Sequence, residues 1–200
     1  MEPVIDTPRL KLIRLTDTDA SSQHAKWFYE LHSDEGATSW SVAGIMKTPE
    51  QALEHMAKRV LSDGFFEYAV FVKPQPSELS QTVSPGDAGP EPGLLVGGDA
   101  VAKPVHVCNI GYGFMRSAWG KGYATEAATA LLEAVTLFVK KERPEGFHYV
   151  EAGVGRKNPK SARVIEKLGL KQAGWRVEKE IIFLNGEWQE PGYWAYGKYV

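Results

Sequence analysis

Residues 109–125 read Asn-Ile-Gly-Tyr-Gly-Phe-Met-Arg-Ser-Ala-Trp-Gly-Lys-Gly-Tyr-Ala-Thr. An apolar strand pattern runs into a glycine-spaced turn, and a strongly amphipathic helix follows at once. A helix start leaves several backbone N–H groups without intrahelical partners and carries partial positive charge. Gly120 and Gly122 remove the side chains that would hold a phosphate away from those donors. The turn therefore reads as a diphosphate cradle. Two familiar phosphate loops do not fit it. A P-loop needs a glycine five residues before the Gly-Lys pair, where this chain has Met115, and Ser or Thr after the lysine, where it has Gly122. The dinucleotide fingerprint needs glycine or alanine at 125, which is Thr125, and no acidic ribose anchor follows at the usual distance.

The helix after the turn is written in Ala124, Ala127, Ala128, Leu131, Leu132, Val135, Phe138 and Val139, the i, i+3, i+4, i+7 rhythm of one buried face. It should stop at Arg143, because the residue before Pro144 is pushed out of helical geometry. Residues 148–155 form a strand pattern. A second helix follows, with Asn158 as N-cap, Pro159 in the first turn and Gly169 at the left-handed position after the end. Asn158, Ser161, Ile165 and Leu168 share one face of it, which points a serine inward near the helix start.

Trp119-Gly-Lys-Gly-Tyr-Ala124 followed by Thr-Glu-Ala, with Asn158-x-x-Ser161-x-Arg-Val-Ile-Glu-Lys-Leu-Gly-Leu170 downstream, resembles the GNAT N-acetyltransferases. More narrowly it is similar to their ribosomal-protein N-acetyltransferase-like branch, the RimJ/RimL type, in which Trp119 stands where the general motif has Gln or Arg. Thr7-Pro-Arg-Leu-Lys-Leu-Ile-Arg-Leu-Thr16 also resembles the family's first strand. The resemblance spans roughly residues 7–198. It implies an α/β (α+β) chain with the GNAT acyl-CoA N-acyltransferase fold, a central mixed, mostly antiparallel twisted sheet flanked by helices.

The same resemblance implies acetyl-CoA as cosubstrate, with no metal. Its diphosphate would sit on the amides of Trp119, Gly120, Lys121, Gly122, Tyr123, Ala124 and Thr125. Its pantetheine arm would run along the strand end at Phe114, Met115 and Arg116, with Asn158 on the far side near the thioester. Arg116 and Lys121 would add charge at the phosphates. The reaction would be direct attack of a primary amine, either a small molecule or a peptide N-terminus, on the thioester carbonyl. Many relatives protonate the leaving thiolate from a tyrosine on the second helix; that position is Ile165 here. Ser161 would act in its place, by hydrogen bonding to the sulfur, so Ser161 and Asn158 are the candidate catalytic residues. Some relatives place a glutamate before the Ile of the cofactor strand, and this chain has Asn109. His106, Glu151, Asp99 and His148 are the titratable groups near the expected sheet, each read as structural, and ordered water would carry the amine's proton away. An alternative is a non-catalytic acyl-CoA-binding sensor or an interaction module.

The remaining sequence bounds the setting. At 200 residues, 43% of them hydrophobic and 24% charged, the chain is sized and composed for one globular domain over 1–200. A single cysteine excludes an internal disulfide framework and fits a reducing, cytoplasmic setting. Cys108 itself reads as a small buried hydrophobe. The start Met1-Glu-Pro-Val-Ile-Asp shows no signal peptide, and the apolar runs are too short to cross a bilayer. With net charge −2 and no basic stripe, nucleic acid is not an expected partner; the chain should be a monomer or homodimer.

Residues 8–15 alternate as a first strand. Asp17–His32 reads as helix with Trp27, Phe28 and Leu31 inward. Pro49–Leu61 is a helix opened by a Thr48/Gln51 capping box. Strands are expected at 65–72 and 94–102, joined by a Pro/Gly-rich loop insertion at about 73–93. The two last strands are expected at 174–183 and 191–199, with Asn185-Gly186 turning between them. The resemblance implies an acceptor pocket between the first helices (Trp27, Tyr29, Trp40, with Glu30, Asp34 and Glu35) and the last strands (Trp188, Tyr193, Trp194, Tyr196).

Overall fold

Alternation along one strand shows how the layers stack. The structure is a computed structural model that describes residues 1–62, 65–74, 93–102, 105–145 and 147–200, with backbone alone for 93–102, 105 and 106. Within the strand β3 (Phe66–Val72), Tyr68 and Val70 enter one apolar cluster, while Ala69 and Phe71 enter another on the opposite face. The strand is buried on both sides because helices cover both faces of the sheet.

The first layer is carried by α4 (Tyr123–Glu142), whose Ala127, Ala128, Leu131, Leu132 and Val135 are buried. They belong to one cluster with Leu10, Leu12, Ile110, Phe114 and Val150 from the sheet, and with Ile165 and Leu168. Ile165 lies on α5 (Pro159–Lys167). The second layer comes from α1 (Gln23–Ser33), the single turn α2 (Glu35–Thr38) and α3 (Pro49–Val60), with Phe28, Leu31, Ala52 and Met56 packed on Ala69 and Phe71. The caps expected from sequence are in place. Thr48 Oγ1 accepts the Gln51 amide at 3.3 Å, and Asn158 Oδ1 accepts the Ser161 amide at 3.1 Å.

Among the described residues eight strands form the sheet: β1 (Val4–Asp6), β2 (Leu10–Arg14), β3, β4 (Gly93–Ala102), β5 (Val105–Phe114), β6 (Phe147–Val154), β7 (Lys171–Arg176) and β10 (Tyr193–Tyr199). Their spatial order is β1-β2-β3-β4-β5-β6-β10-β7. Every neighbouring pair is antiparallel except β5 and β6. This is the mixed, mostly antiparallel sheet flanked by helices that the family resemblance implied. A separate small hairpin pairs β8 (Phe183–Leu184) with β9 (Glu187–Trp188).

Three expectations are corrected. Helix α1 begins at Gln23 and not at Asp17, because polar side chains upstream bond local backbone. Asp19 takes the Ser21 amide at 2.7 Å, and Ser22 caps the helix by accepting the Ala25 amide at 3.0 Å. The Asn185-Gly186 turn, with φ of 51° and 81°, closes β8 on β9; it does not join the last two long strands. Strand β7 covers 171–176, not 174–183. Its pairing with β10 ends at Tyr193↔Arg176, and the following Val177–Glu180 is exposed. The 73–93 insertion lies almost entirely outside the described residues.

One buried acid gives the second cluster a pH signature. The Glu67 side chain is fully buried, and among the described residues neither of its oxygens has a hydrogen-bond partner. Arg59 Nη1 stands 3.2 Å from Oε1 as an ion pair. Burial pushes the Glu67 carboxyl up to about 7, against the pull of Arg59. Between its ordinary 4.5 and about 7 the native state holds a proton that the unfolded chain has lost, so this residue makes stability fall as pH rises. Nearby His32, lowered by burial to about 4, acts in the opposite sense below its ordinary 6.5. Comparing Glu67→Gln with the parent isolates the first effect. The variant should gain up to about 3 kcal/mol relative to the parent on going from pH 5 to pH 8, read from denaturant midpoints.

Candidate active site

The parallel pair β5–β6 does not run the full length of its strands. Its register begins at Val105↔Phe147 and ends at Asn109↔Glu151. Beyond that point β5 keeps β4 as its partner, through Gly93↔Phe114, while β6 keeps β10, through Trp194↔Val154. The two strands splay apart, so residues 110–114 present an edge with no strand among the described residues beside it on the β6 side. Unpaired strand edges invite an extended ligand. Two cavities open along the splay, of about 540 and 910 Å³. Trp40, Tyr112, Asn158 and Ser161 line both.

The smaller cavity is floored by the glycine turn. Gly120 and Gly122 have φ of 76° and 83°, a left-handed conformation that side-chain-bearing residues rarely adopt. A Cβ at Gly120 would meet no protein atom within 4 Å, so the space over the turn is open. Gly122 is the N-cap of α4 and contributes no side-chain cap. Phe114, Trp119, Gly120, Gly122, Tyr123, Ala124 and Thr125 line this cavity. Three cations of α5 line it as well, Lys160, Arg163 and Lys167, none with a carboxylate partner among the described residues. Sequence reading missed them, since they look like an ordinary solvated helix face. Helix-start amides, an open turn and unpaired cations together suit a multiply charged phosphate ligand.

Met115, Arg116 and Lys121 do not line the cavity with their side chains. A 3-10 turn at Arg116–Ala118 turns the chain away from the strand. Met115 packs on the second cluster, and Arg116 crosses Gly36 so closely that a Cβ there would stand 2.7 Å from its Cγ. The Lys121 side chain is exposed, while its carbonyl accepts from Arg9 Nη1 at 3.0 Å. Glu126, one turn into α4, holds this brace together. It accepts the Thr7 hydroxyl, the Arg9 amide at 2.9 Å and Arg9 Nε at 2.6 Å. Partial burial pushes the Glu126 carboxyl up, but the hydrogen bonds from Thr7 and Arg9 win and hold it below its usual range. The start of β2 thus anchors the glycine turn from behind. The Trp119 indole N–H adds a further tie, donating to the Phe114 carbonyl at 2.7 Å.

At the junction, Tyr112 Oη lies 2.8 Å from Ser161 Oγ and 3.1 Å from the Ser161 carbonyl. Tyr112 comes from β5 and Ser161 from the first turn of α5, so the splay brings the two hydroxyls together across the cavity mouth. Burial pushes the Tyr112 hydroxyl up to about 12, only partly offset by the bond to Ser161. It stays a neutral donor at any working pH. Asn158, its Oδ1 spent on the cap, lies beside them.

The larger cavity runs from this junction past Asn109, Glu151, Trp175, Glu178, Glu180 and Tyr193. Of the aromatics expected to wall an acceptor site, Trp40 and Tyr193 do so. Trp27 packs edge-on to Phe71, Tyr29 reaches the Lys47 carbonyl at 3.4 Å, Trp188 meets Phe183 edge to face outside, Trp194 meets Trp175 edge to face, and Tyr196 is buried. Asp34 caps α2, and Glu30 and Glu35 are exposed away from both cavities. Glu151 is buried and paired with Arg176. His148 is bound through Nε2 to the Arg143 carbonyl at 2.9 Å. The side chains of Asp99 and His106 lie outside the described residues. Cys108 is half-buried against the main core. Among the described residues no cluster of three or more His, Cys, Asp or Glu could hold a metal ion, and no helix is long and apolar enough to cross a membrane.

Comparison with known proteins agrees with this geometry. No curated protein matches the sequence. Among solved structures, the chain is similar to a GNAT-family acetyltransferase from Bacillus anthracis (22% identity, 98% of this chain and 97% of that one, TM-score 0.65). It is also similar to the Salmonella typhimurium acetyltransferase that modifies the N-terminal serine of ribosomal protein L7/L12 (17%, 98% and 99%, 0.66). A third is spermidine N-acetyltransferase from Vibrio cholerae in complex with CoA and spermine (15%, 96% and 96%, 0.69). Residues 9–171, most of the chain, match the family described as the acetyltransferase (GNAT) domain. With sheet, glycine turn and family match in agreement, the chain belongs to the GNAT acetyltransferases.

Proposed function

We propose that the smaller cavity takes acetyl-CoA and the larger one a primary amine, and that acetyl transfer by direct attack takes place where they meet. The observation that carries this reading is the sharing of Trp40, Tyr112, Asn158 and Ser161 by both cavities. A thioester threaded from one side and an amine entering from the other come together only there. The diphosphate rests on the amides from Trp119 to Thr125, with Lys160, Arg163 and Lys167 supplying positive charge. Pantetheine lies against the free edge of residues 110–114 and hydrogen-bonds to it as an added strand would.

The neutral amine attacks the thioester carbonyl carbon, a C–N bond forms, and the C–S bond breaks as the tetrahedral intermediate collapses. Ser161 Oγ donates to the sulfur as negative charge builds on it. A hydroxyl is too weak an acid to be deprotonated here, so its part is hydrogen bonding. The amine's proton leaves through water in the wide outer cavity, since Glu151, the buried carboxylate there, is already paired with Arg176.

Chemistry of the acceptor follows from the walls. Trp40, Trp175 and Tyr193 offer aromatic surface, and Glu178 and Glu180 have no ion-pair partner among the described residues. These features suit an amine, either a small cation or a peptide N-terminus, in keeping with the branch resemblance. A free-thiol release assay with acetyl-CoA tests the reading, using spermine and a serine-initiated peptide as acceptors and mass spectrometry to identify the acetylated product. Turnover with either acceptor is expected. Tight acetyl-CoA binding without turnover on an extended amine panel would make the protein a sensor instead.

A further inference from the structure

We propose that Tyr112 is a positioning residue for catalysis, its hydroxyl aligning Ser161 so that the serine proton faces the departing sulfur. The inference rests on the acetyl-transfer reading above and adds to it a residue that the glycine-turn and second-helix motifs do not assign a role.

The geometry allows two proton arrangements. In one, Tyr112 donates to the Ser161 carbonyl at 3.1 Å and the serine hydroxyl donates back to Tyr112 across 2.8 Å, which ties up the serine's only proton. In the other, Tyr112 donates to Ser161 Oγ, and the serine proton is free to point into the cavity. A sulfur gaining negative charge in the junction selects the second arrangement. A hydroxyl that accepts one hydrogen bond becomes a stronger donor of the next, so the pair outperforms Ser161 alone.

The rest of the site supports this arrangement. The Ser161 amide is held by Asn158 Oδ1 at 3.1 Å, which fixes where the hydroxyl starts. Tyr112 is rooted in β5, paired with Leu95 of β4, and its ring packs at the edge of the main cluster, 6.4 Å between centroids from Phe114. A phenol with its hydroxyl held up to about 12 does not ionise during turnover, so Tyr112 acts as a neutral donor and not as the acid. The balance of the step is simple. The C–N bond forms, the C–S bond breaks, and the thiolate leaves hydrogen-bonded to Ser161. The amine's proton goes to water, and water later protonates the thiolate.

The test is a double-mutant cycle of Tyr112→Phe and Ser161→Ala, assayed by thiol release with whichever of spermine or the serine-initiated peptide supports turnover. Phenylalanine keeps the ring and its packing, and thermal midpoints of all variants check the fold. Tyr112→Phe should lower kcat about 5- to 10-fold and leave KM for acetyl-CoA within about twofold. In the Ser161→Ala background it should cost less than about twofold, because its effect passes through the serine. Three results would overturn the inference: wild-type kcat in Tyr112→Phe, a raised KM with kcat kept, or the same loss with and without Ser161. The parent separates this from failure of the underlying reading. If the parent neither binds acetyl-CoA by calorimetry nor releases thiol, the acetyl-transfer reading falls. If it turns over and Tyr112→Phe matches it, only the role of Tyr112 falls.

Discussion

Replacing Gly122 by valine should weaken acetyl-CoA binding by about 30-fold or more while leaving most of the fold intact. Gly122 holds φ at 83°, where an L-residue costs about 1–2 kcal/mol, and a β-branched one more. The turn relieves that strain by rotating toward ordinary φ, which swings the amides of Gly122 and Tyr123 out of their shared direction. A Cβ would also approach Arg9 Nη2 at 3.3 Å and disturb the brace that holds the Lys121 carbonyl. Losing two well-aimed N–H donors to a phosphate, at about 1–1.5 kcal/mol each, gives the expected change in Kd. Titration calorimetry with acetyl-CoA reads it, and kcat at saturating cosubstrate should fall far less than affinity. Gly120→Ala is the companion variant, because its methyl group would enter open space. It should weaken binding in the same direction, by a smaller factor. Wild-type affinity in both variants would show that the turn does not hold the diphosphate.

Ser161→Ala should do the reverse, lowering kcat about 10- to 100-fold while KM for acetyl-CoA stays within a few-fold. The serine is placed by backbone, through the Asn158 cap, so deleting its hydroxyl leaves the helix start in place. What goes is one donor to a charged sulfur, a bond worth about 1.5–3 kcal/mol when the acceptor is ionic. That energy is gained as the C–S bond breaks and not when acetyl-CoA binds, so the loss belongs in kcat. A thioester with a more acidic thiol needs less help, so such a substrate should recover part of the lost rate. An unchanged kcat would remove Ser161 from the mechanism.

The parts of this site that were legible in sequence are those set by local rules. Gly120 and Gly122 mark a turn left open by the absence of side chains, and Asn158-Pro159 with Gly169 brackets a helix by capping chemistry alone. The apolar rhythm from Ala127 to Val135 identifies the buried face of α4 without knowing what covers it. Features that depend on two distant segments were not legible. Tyr112 and Ser161 are 49 residues apart, and only the splay of β5 from β6 brings them together. Lys160, Arg163 and Lys167 have the look of a solvated helix face until the glycine turn is placed opposite them. Arg116 stands beside the turn in sequence, yet a 3-10 turn carries it over Gly36. Asn185-Gly186 gave the turn correctly and the wrong arms, because arm length depends on which strand is available to pair. The Thr7–Arg9–Glu126 brace had one local hint, an acid in the first turn of α4. Its partners, more than 100 residues upstream, had none.

A crystal structure of the protein with CoA bears most directly on the central claim, that one junction collects thioester and amine. The diphosphate oxygens should accept from amides between Trp119 and Thr125, and the sulfur should lie within about 3.5–4 Å of Ser161 Oγ. A CoA bound elsewhere, or one whose sulfur points away from Ser161 and the cavity beyond it, would contradict the account.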